Sequence, residues 1–102
     1  MTMRYIDPQV GGSSNIGKIV YSSHGHDKGR YYVVIFEKEN YQYIADGRKR
    51  LVTAPKKKNP AHLTLTEFSV PYGCIVNGCV NLTNKELKIL ISRFFRIKQI
   101  DV

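Results

Sequence analysis

The sequence predicts a mainly β chain: a small antiparallel β-barrel over residues 16–69, followed by a C-terminal amphipathic α-helix. Five short runs of β-branched and aromatic residues fall within about fifty residues, separated by Gly, Pro, Asp and Asn. So short an open sheet would leave its edges unpaired, which favours closure. Beyond residue 82 a Thr-x-x-Glu start signal opens a run whose apolar residues recur at helical spacing.

Residues 1–15 contain Asp7-Pro8 and Gly11-Gly12-Ser13-Ser14-Asn15, show no period, and read as a flexible N-terminal tail. Ile19–Tyr21 is the first strand. Tyr31–Phe36, the second, is apolar on both alternations and is expected to be buried on both faces. Between them lies a polar insert in which Gly25 and Gly29 supply positive φ, or let the backbone approach a ligand closely. Glu37–Asn40 is a polar turn, Tyr41–Ala45 a third strand, and Asp46-Gly47 a hairpin signal. Leu51–Ala54 reads as the fourth strand, stopped by Pro55. Lys56–Pro60 reads as an exposed loop, because three adjacent ammonium groups do not suit a core. His62–Phe68 alternates and makes the fifth strand, with Leu63 and Leu65 on one side. Residues 70–82 form a linker that no pattern assigns. Thr83-Asn84-Lys85-Glu86 fits a capping box for a helix reaching Ile97, within a C-terminal segment 83–102. Leu87, Leu90, Ile91, Phe94, Phe95 and Ile97 fall on one broad face, to be covered by the barrel or by a protein partner.

Charge is unevenly placed. The net charge is +8, yet residues 1–47 balance five basic against five acidic side chains. Residues 48–58 hold six basic residues and no acidic one, so most of the excess lies in eleven residues. That is an electrostatic footprint for a polyanion.

At Gly17–Ile35 the sequence resembles the KOW motif, with apolar residues alternating around an essential glycine. The order Gly17-Lys18-Ile19-Val20, Gly25-x-x-x-Gly29, Ala45-Asp46-Gly47, then a basic segment ending in His62–Phe68, extends the match over residues 16–69. It is similar to the archaeal and eukaryotic large-subunit ribosomal protein family numbered fourteen and to its small bacterial KOW-domain relatives. The resemblance implies an SH3-like barrel that binds ribosomal or other structured RNA through its loops, in translation or ribosome assembly, without catalysis or cofactor. Beyond residue 70 that family's basic extension is replaced here by a short linker and the capped helix.

The residues expected to contact RNA are Arg48, Lys49, Arg50, Lys56, Lys57 and Lys58, joined by Lys18, Lys28 and Arg30. His24 and His62 are added as groups able to hydrogen-bond or stack on nucleotides. Asp27 opposes a purely phosphate-binding loop, and its expected role is to cap the turn or orient Lys28. Most of the seven tyrosines fall in predicted strands and are expected to pack. His24, His26 and His62 complete no ligand set with Cys74 and Cys79, so no metal is expected. Neither a Ser-His-Asp set, a nucleotide-hydrolase glycine loop nor paired carboxylates point to an enzyme. The first residues lack the apolar centre of a signal peptide, and no run is long enough to span a bilayer, so the expectation is cytoplasmic and free of membrane. A second expectation is a protein-interaction module docking a partner through the C-terminal helix.

Overall fold

The computed structural model describes residues 14–98. The predicted tail therefore lies outside the described residues except for Ser14 and Asn15, and so does the chain beyond Lys98. Five antiparallel strands, β1 (Lys18–Ser22), β2 (Tyr31–Lys38), β3 (Tyr41–Ala45), β4 (Lys56–Lys58) and β5 (Leu63–Ser69), form one sheet in the order β4-β3-β2-β1-β5. A two-stranded hairpin, β6 (Ile75–Val76) and β7 (Cys79–Val80), and one helix, α1 (Asn84–Lys98), complete it.

β2 is buried on both faces, as its pattern requires. Val33 and Ile35 face one cluster with Ile19, Ala45, Val70, Val80, Leu87, Ile91 and Phe94. Tyr32 and Val34 face a second with Val20 and Ile44, joined by Leu63. The cross-strand register Ile19↔Val33↔Ala45 and Val20↔Tyr32 keeps each set on its own face. A bulge at Ile35 bends β2.

The ladder is open, with β4 and β5 at its edges, and no ladder bonds join them among the described residues. The closed barrel expected from the five strands is not formed by pairing. The sheet is nevertheless curled. Four inter-strand gaps in a flat sheet would separate the edges by about 19 Å. Yet the chain crosses from β4 to β5 through Asn59 and a 3₁₀ turn, Pro60–His62, which rises only about 2 Å per residue. The Ser23 N–H also reaches the His62 carbonyl at 3.0 Å, tying the end of β1 to that crossing. The inner cluster, Val20, Tyr32, Val34 and Ile44 with Leu63, includes no residue of α1, which packs on the first cluster.

Three boundaries differ from the sequence reading. The fourth strand is Lys56–Lys58, not Leu51–Ala54, which turns through an Ala54 N–H to Leu51 carbonyl bond. Asp46-Gly47 does not make a two-residue hairpin: only Gly47 has positive φ, and residues 46–55 connect β3 to β4. In β5, Leu65 is 48% exposed rather than paired inward with Leu63. A register shift opposite Lys18–Val20 breaks the alternation, and the Thr66 hydroxyl fills it by donating to the Ile19 carbonyl at 2.7 Å.

Residues 70–82 are anchored to the core at two points. Val70 and Val80 are buried, and Asn77-Gly78 turns the β6–β7 hairpin with φ of 52° and 73°. α1 opens with the expected capping box: Thr83 N–H donates to Glu86 Oε1 at 2.8 Å, and Glu86 N–H to Thr83 Oγ1 at 3.1 Å. Its Leu87, Ile91 and Phe94 are buried against the sheet, while Ile97 is 64% exposed and lies off that contact. The apolar face is therefore occupied within the chain. Among the described residues no helix is long and apolar enough to cross a membrane.

Candidate nucleic-acid interface

Two loops at the same end of the sheet hold most of the expected site. The first, residues 23–30, folds on itself: Lys28 N–H donates to the Gly25 carbonyl, Arg30 N–H to the Asp27 carbonyl, and Gly29 N–H to the Ser22 carbonyl. Gly25 and Gly29 take φ of 88° and 89°, the region their type allows without penalty.

Asp27 turns inward from this loop and anchors it. Lys58 Nζ lies 2.8 Å from its Oδ1 and donates also to the His24 carbonyl at 2.8 Å. Lys56 Nζ stands 3.6 Å from Oδ2, a buried oxygen with no hydrogen-bond partner of its own. The Ser22 hydroxyl, fully buried, adds a contact of 3.2 Å to Oδ1. Burial alone would push this carboxyl up. The Lys58 hydrogen bond, its own backbone N–H and the charges of Lys58 and Lys56 outweigh that and hold it below the ordinary 3.8.

The alternation of β4 explains the geometry. Lys56 and Lys58 pair with Ile44 and Gln42 and share their inward face. Lys57 points the other way, its ammonium 4.3 Å from the centre of the Tyr41 ring. The expectation that Lys56–Lys58 is an exposed RNA-binding run is thus corrected. Lys58, 7% exposed, is a structural counter-ion, Lys56 is half-buried beside it, and only Lys57 is free to meet a ligand. Asp27 neither caps the turn through its side chain nor orients Lys28.

A carboxyl whose folded pKa is depressed contributes stability above its unfolded pKa, and that contribution is lost as pH falls through the folded value. The gap in thermal midpoint between the wild type and Asp27→Asn should therefore be constant near neutrality and close below about pH 4. A gap that does not narrow as the pH is lowered below the ordinary carboxylate range would show that Asp27 does not act as a charge.

The second loop, residues 46–55, is held by another carboxylate. Asp46 Oδ1 accepts three successive N–H groups, from Arg48 (2.9 Å), Lys49 (3.0 Å) and Arg50 (2.9 Å). Asp46 and Gly47 N–H both reach back to the Arg50 carbonyl. Gly47 is required here: its φ is 79°, and a Cβ would run into the backbone carbonyl of Asn84 at the start of α1. Asn84 Oδ1 in turn accepts the Val52 N–H at 2.8 Å. With the backbone fixed from within, Arg48 and Lys49 are exposed on a preorganised turn and Arg50 is half-buried beside them.

Between the two loops lies a cleft of about 350 Å³ lined by His26, Asp27, Arg30, Tyr32, Lys49 and Arg50. It joins Arg30 from the first loop with Lys49 and Arg50 from the second, three cations around one carboxylate that two inward lysines already balance. The Tyr32 phenol is pushed up to about 12 by burial and by the Asp27 and Asp46 carboxylates, so it remains a hydroxyl donor at the wall. Neither His26 nor Tyr32 is among the residues expected from the sequence to contact RNA; alternation alone puts Tyr32 on the inner face, but only the fold brings it beside Arg50.

The other expected contacts are dispersed. Lys28 is exposed in the first loop, and Arg48 is exposed at the second without lining the cleft. His24 and His62 stack on each other, ring centres 4.5 Å apart, where the first loop meets the 3₁₀ turn. Lys18 pairs with Ser69 at the opposite end of β1, away from both loops. Of the tyrosines, Tyr21 packs on Tyr31, Tyr31 on Phe94 and Phe95, and Tyr43 on Phe36, while Tyr72 is 89% exposed on the far side near Lys18. Among the described residues no three His, Cys, Asp or Glu side chains are grouped to hold a metal ion. No protein-family model and no curated protein matches the chain.

Proposed function

We infer that this chain is a non-catalytic RNA-binding protein that docks structured RNA, ribosomal RNA above all, in the cleft between residues 23–30 and 46–55. The observation that carries the reading is the convergence of Arg30, Lys49 and Arg50 from two loops around a carboxylate balanced by inward lysines. Arg and Lys beside hydroxyl and imidazole donors suit phosphate and ribose. The curled five-stranded sheet, with a 3₁₀ turn joining its edge strands and an inner cluster of Val20, Tyr32, Val34 and Ile44, supports an SH3-like KOW domain. A role in translation or ribosome assembly, in the cytoplasm, follows from that reading. The interaction-module alternative is the weaker reading, because Leu87, Ile91 and Phe94 of α1 pack on the sheet.

The test is binding of ribosomal RNA stem-loops by Arg30→Gln/Lys49→Gln/Arg50→Gln, with cosedimentation on ribosomes across a salt series. These side chains carry no tertiary ion pair among the described residues, so the variant should keep the wild-type thermal midpoint. Its log–log salt slope should flatten by about 2 to 3, since each lost phosphate contact removes about 0.7 to 0.9. Undiminished binding by the folded variant would overturn the assignment. Reversing Lys58 would test the fold instead.

A further inference from the structure

The outward face of α1 carries a second row of cations that the cleft does not use. Lys85, Lys88, Arg93 and Arg96 are all exposed and line one groove of about 390 Å³ with Ile89 and Ser92. Their spacing places them on one side of the helix, opposite Leu87, Ile91 and Phe94. Among the described residues none of the four is ion-paired, and the one acid of α1, Glu86, is engaged in the capping box.

This row starts close to the second loop. The Cα of Asn84 lies 3.1 Å from the point where a Gly47 Cβ would sit, so the next residues along each chain, Arg48 and Lys85, are neighbours. Their Cα atoms are at most about 12 Å apart, from standard bond and virtual-bond lengths. From Lys85 to Arg96 the helix adds about 16 Å at 1.5 Å per residue. The row Lys85, Lys88, Arg93 and Arg96 therefore begins within about 12 Å of Arg48 and runs from there along α1.

We propose that α1 extends the interface and that its ligand is the sugar–phosphate backbone of double-helical RNA. This rests on the RNA-binding reading of the cleft. Single strands are held by exposed aromatic platforms. The helix row contains none, and in the cleft Tyr32 is buried, which leaves His26 as its one exposed ring. A row of guanidinium and ammonium groups without rings suits regularly spaced phosphates, read by shape rather than by base.

The test uses the full chain carrying Lys85→Gln, Lys88→Gln, Arg93→Gln and Arg96→Gln, substitutions that keep helix propensity and touch no core residue. Probes are an RNA hairpin with a long stem, an unstructured RNA of equal length, and vesicles containing phosphatidylserine. The variant's salt slope on the hairpin should flatten by about 3, so that between 50 and 200 mM salt its affinity falls about 60-fold less than the wild type's. The slope on the unstructured RNA should change by less than half as much. An unchanged hairpin slope, or equal losses on both RNAs, would overturn the proposal. So would a variant that loses vesicle binding alone, which would assign the row to a membrane surface. If the wild type bound neither RNA, the reading of the cleft would fall, and this extension with it.

Discussion

Lys58→Ala should cost about 3–5 kcal/mol of stability, while Lys57→Ala, one residue away, should cost less than about 1 kcal/mol. The difference follows from the period of a strand. The Lys58 ammonium is buried against Asp27 and the His24 carbonyl, so its removal leaves a carboxylate in the interior with the Ser22 hydroxyl at 3.2 Å and, as its one counter-charge, Lys56 at 3.6 Å. Lys57 points outward and loses only its contact with the Tyr41 ring. Against a total of about 5–15 kcal/mol for a chain of this size, the first change removes a large share and the second does not. Equilibrium urea unfolding of both variants measures it. Lys58→Met combined with Asp27→Leu should be less destabilised than either single variant, because a buried pair removed together leaves no unpaired charge. Equal effects of Lys57→Ala and Lys58→Ala would contradict the inward placement of Lys58.

Phe94→Ala should destabilise by about 3–5 kcal/mol, within the range of buried aromatic truncations. Phe94 is buried among Tyr31, Phe68 and Phe95, with ring centres 5.1, 5.3 and 5.9 Å away. It is the central contact between α1 and the sheet. Chains ending at residue 82 should fail to unfold cooperatively, since Ile19, Val33, Ile35 and Ala45 lose their cover. A truncated chain with an intact, cooperative transition would make α1 an appendage and restore the case for a docking helix.

Much of this was readable from the residues, and the failures have identifiable causes. β2 and the capping box rest on local chemistry, a doubly apolar run and a Thr-x-x-Glu spacing, and both stand. Arg30, Lys49 and Arg50 were named from composition, but their meeting in one cleft depends on how the sheet curls. Lys56–Lys58 was misread because local reasoning treats three lysines as a solvated loop. The partner that admits Lys58 to the interior is Asp27, thirty-one residues earlier. Asp46-Gly47 was misread for a similar reason: the dipeptide has the chemistry of a hairpin, but its glycine serves close approach to Asn84. Asn77-Gly78, an equally plain turn signal, was passed over because its strands are only two residues each.

The pairing of β1 with β5 sets the order in which the fold can form. β1 to β3 are adjacent hairpins and can pair once the chain has reached Ala45. The other edge of β1 must wait for residues such as Leu65, forty-five positions after its partner Val20. Until then a strand with Val20 at its centre stays open on one side, during synthesis as in refolding, and the loop-closure entropy of that long separation falls on the completion of the sheet. The closing element is the crossing from Lys58 through the 3₁₀ turn to Leu63. The Asp27–Lys58 bond and the β1–β5 ladder should therefore form together, late, and as one event.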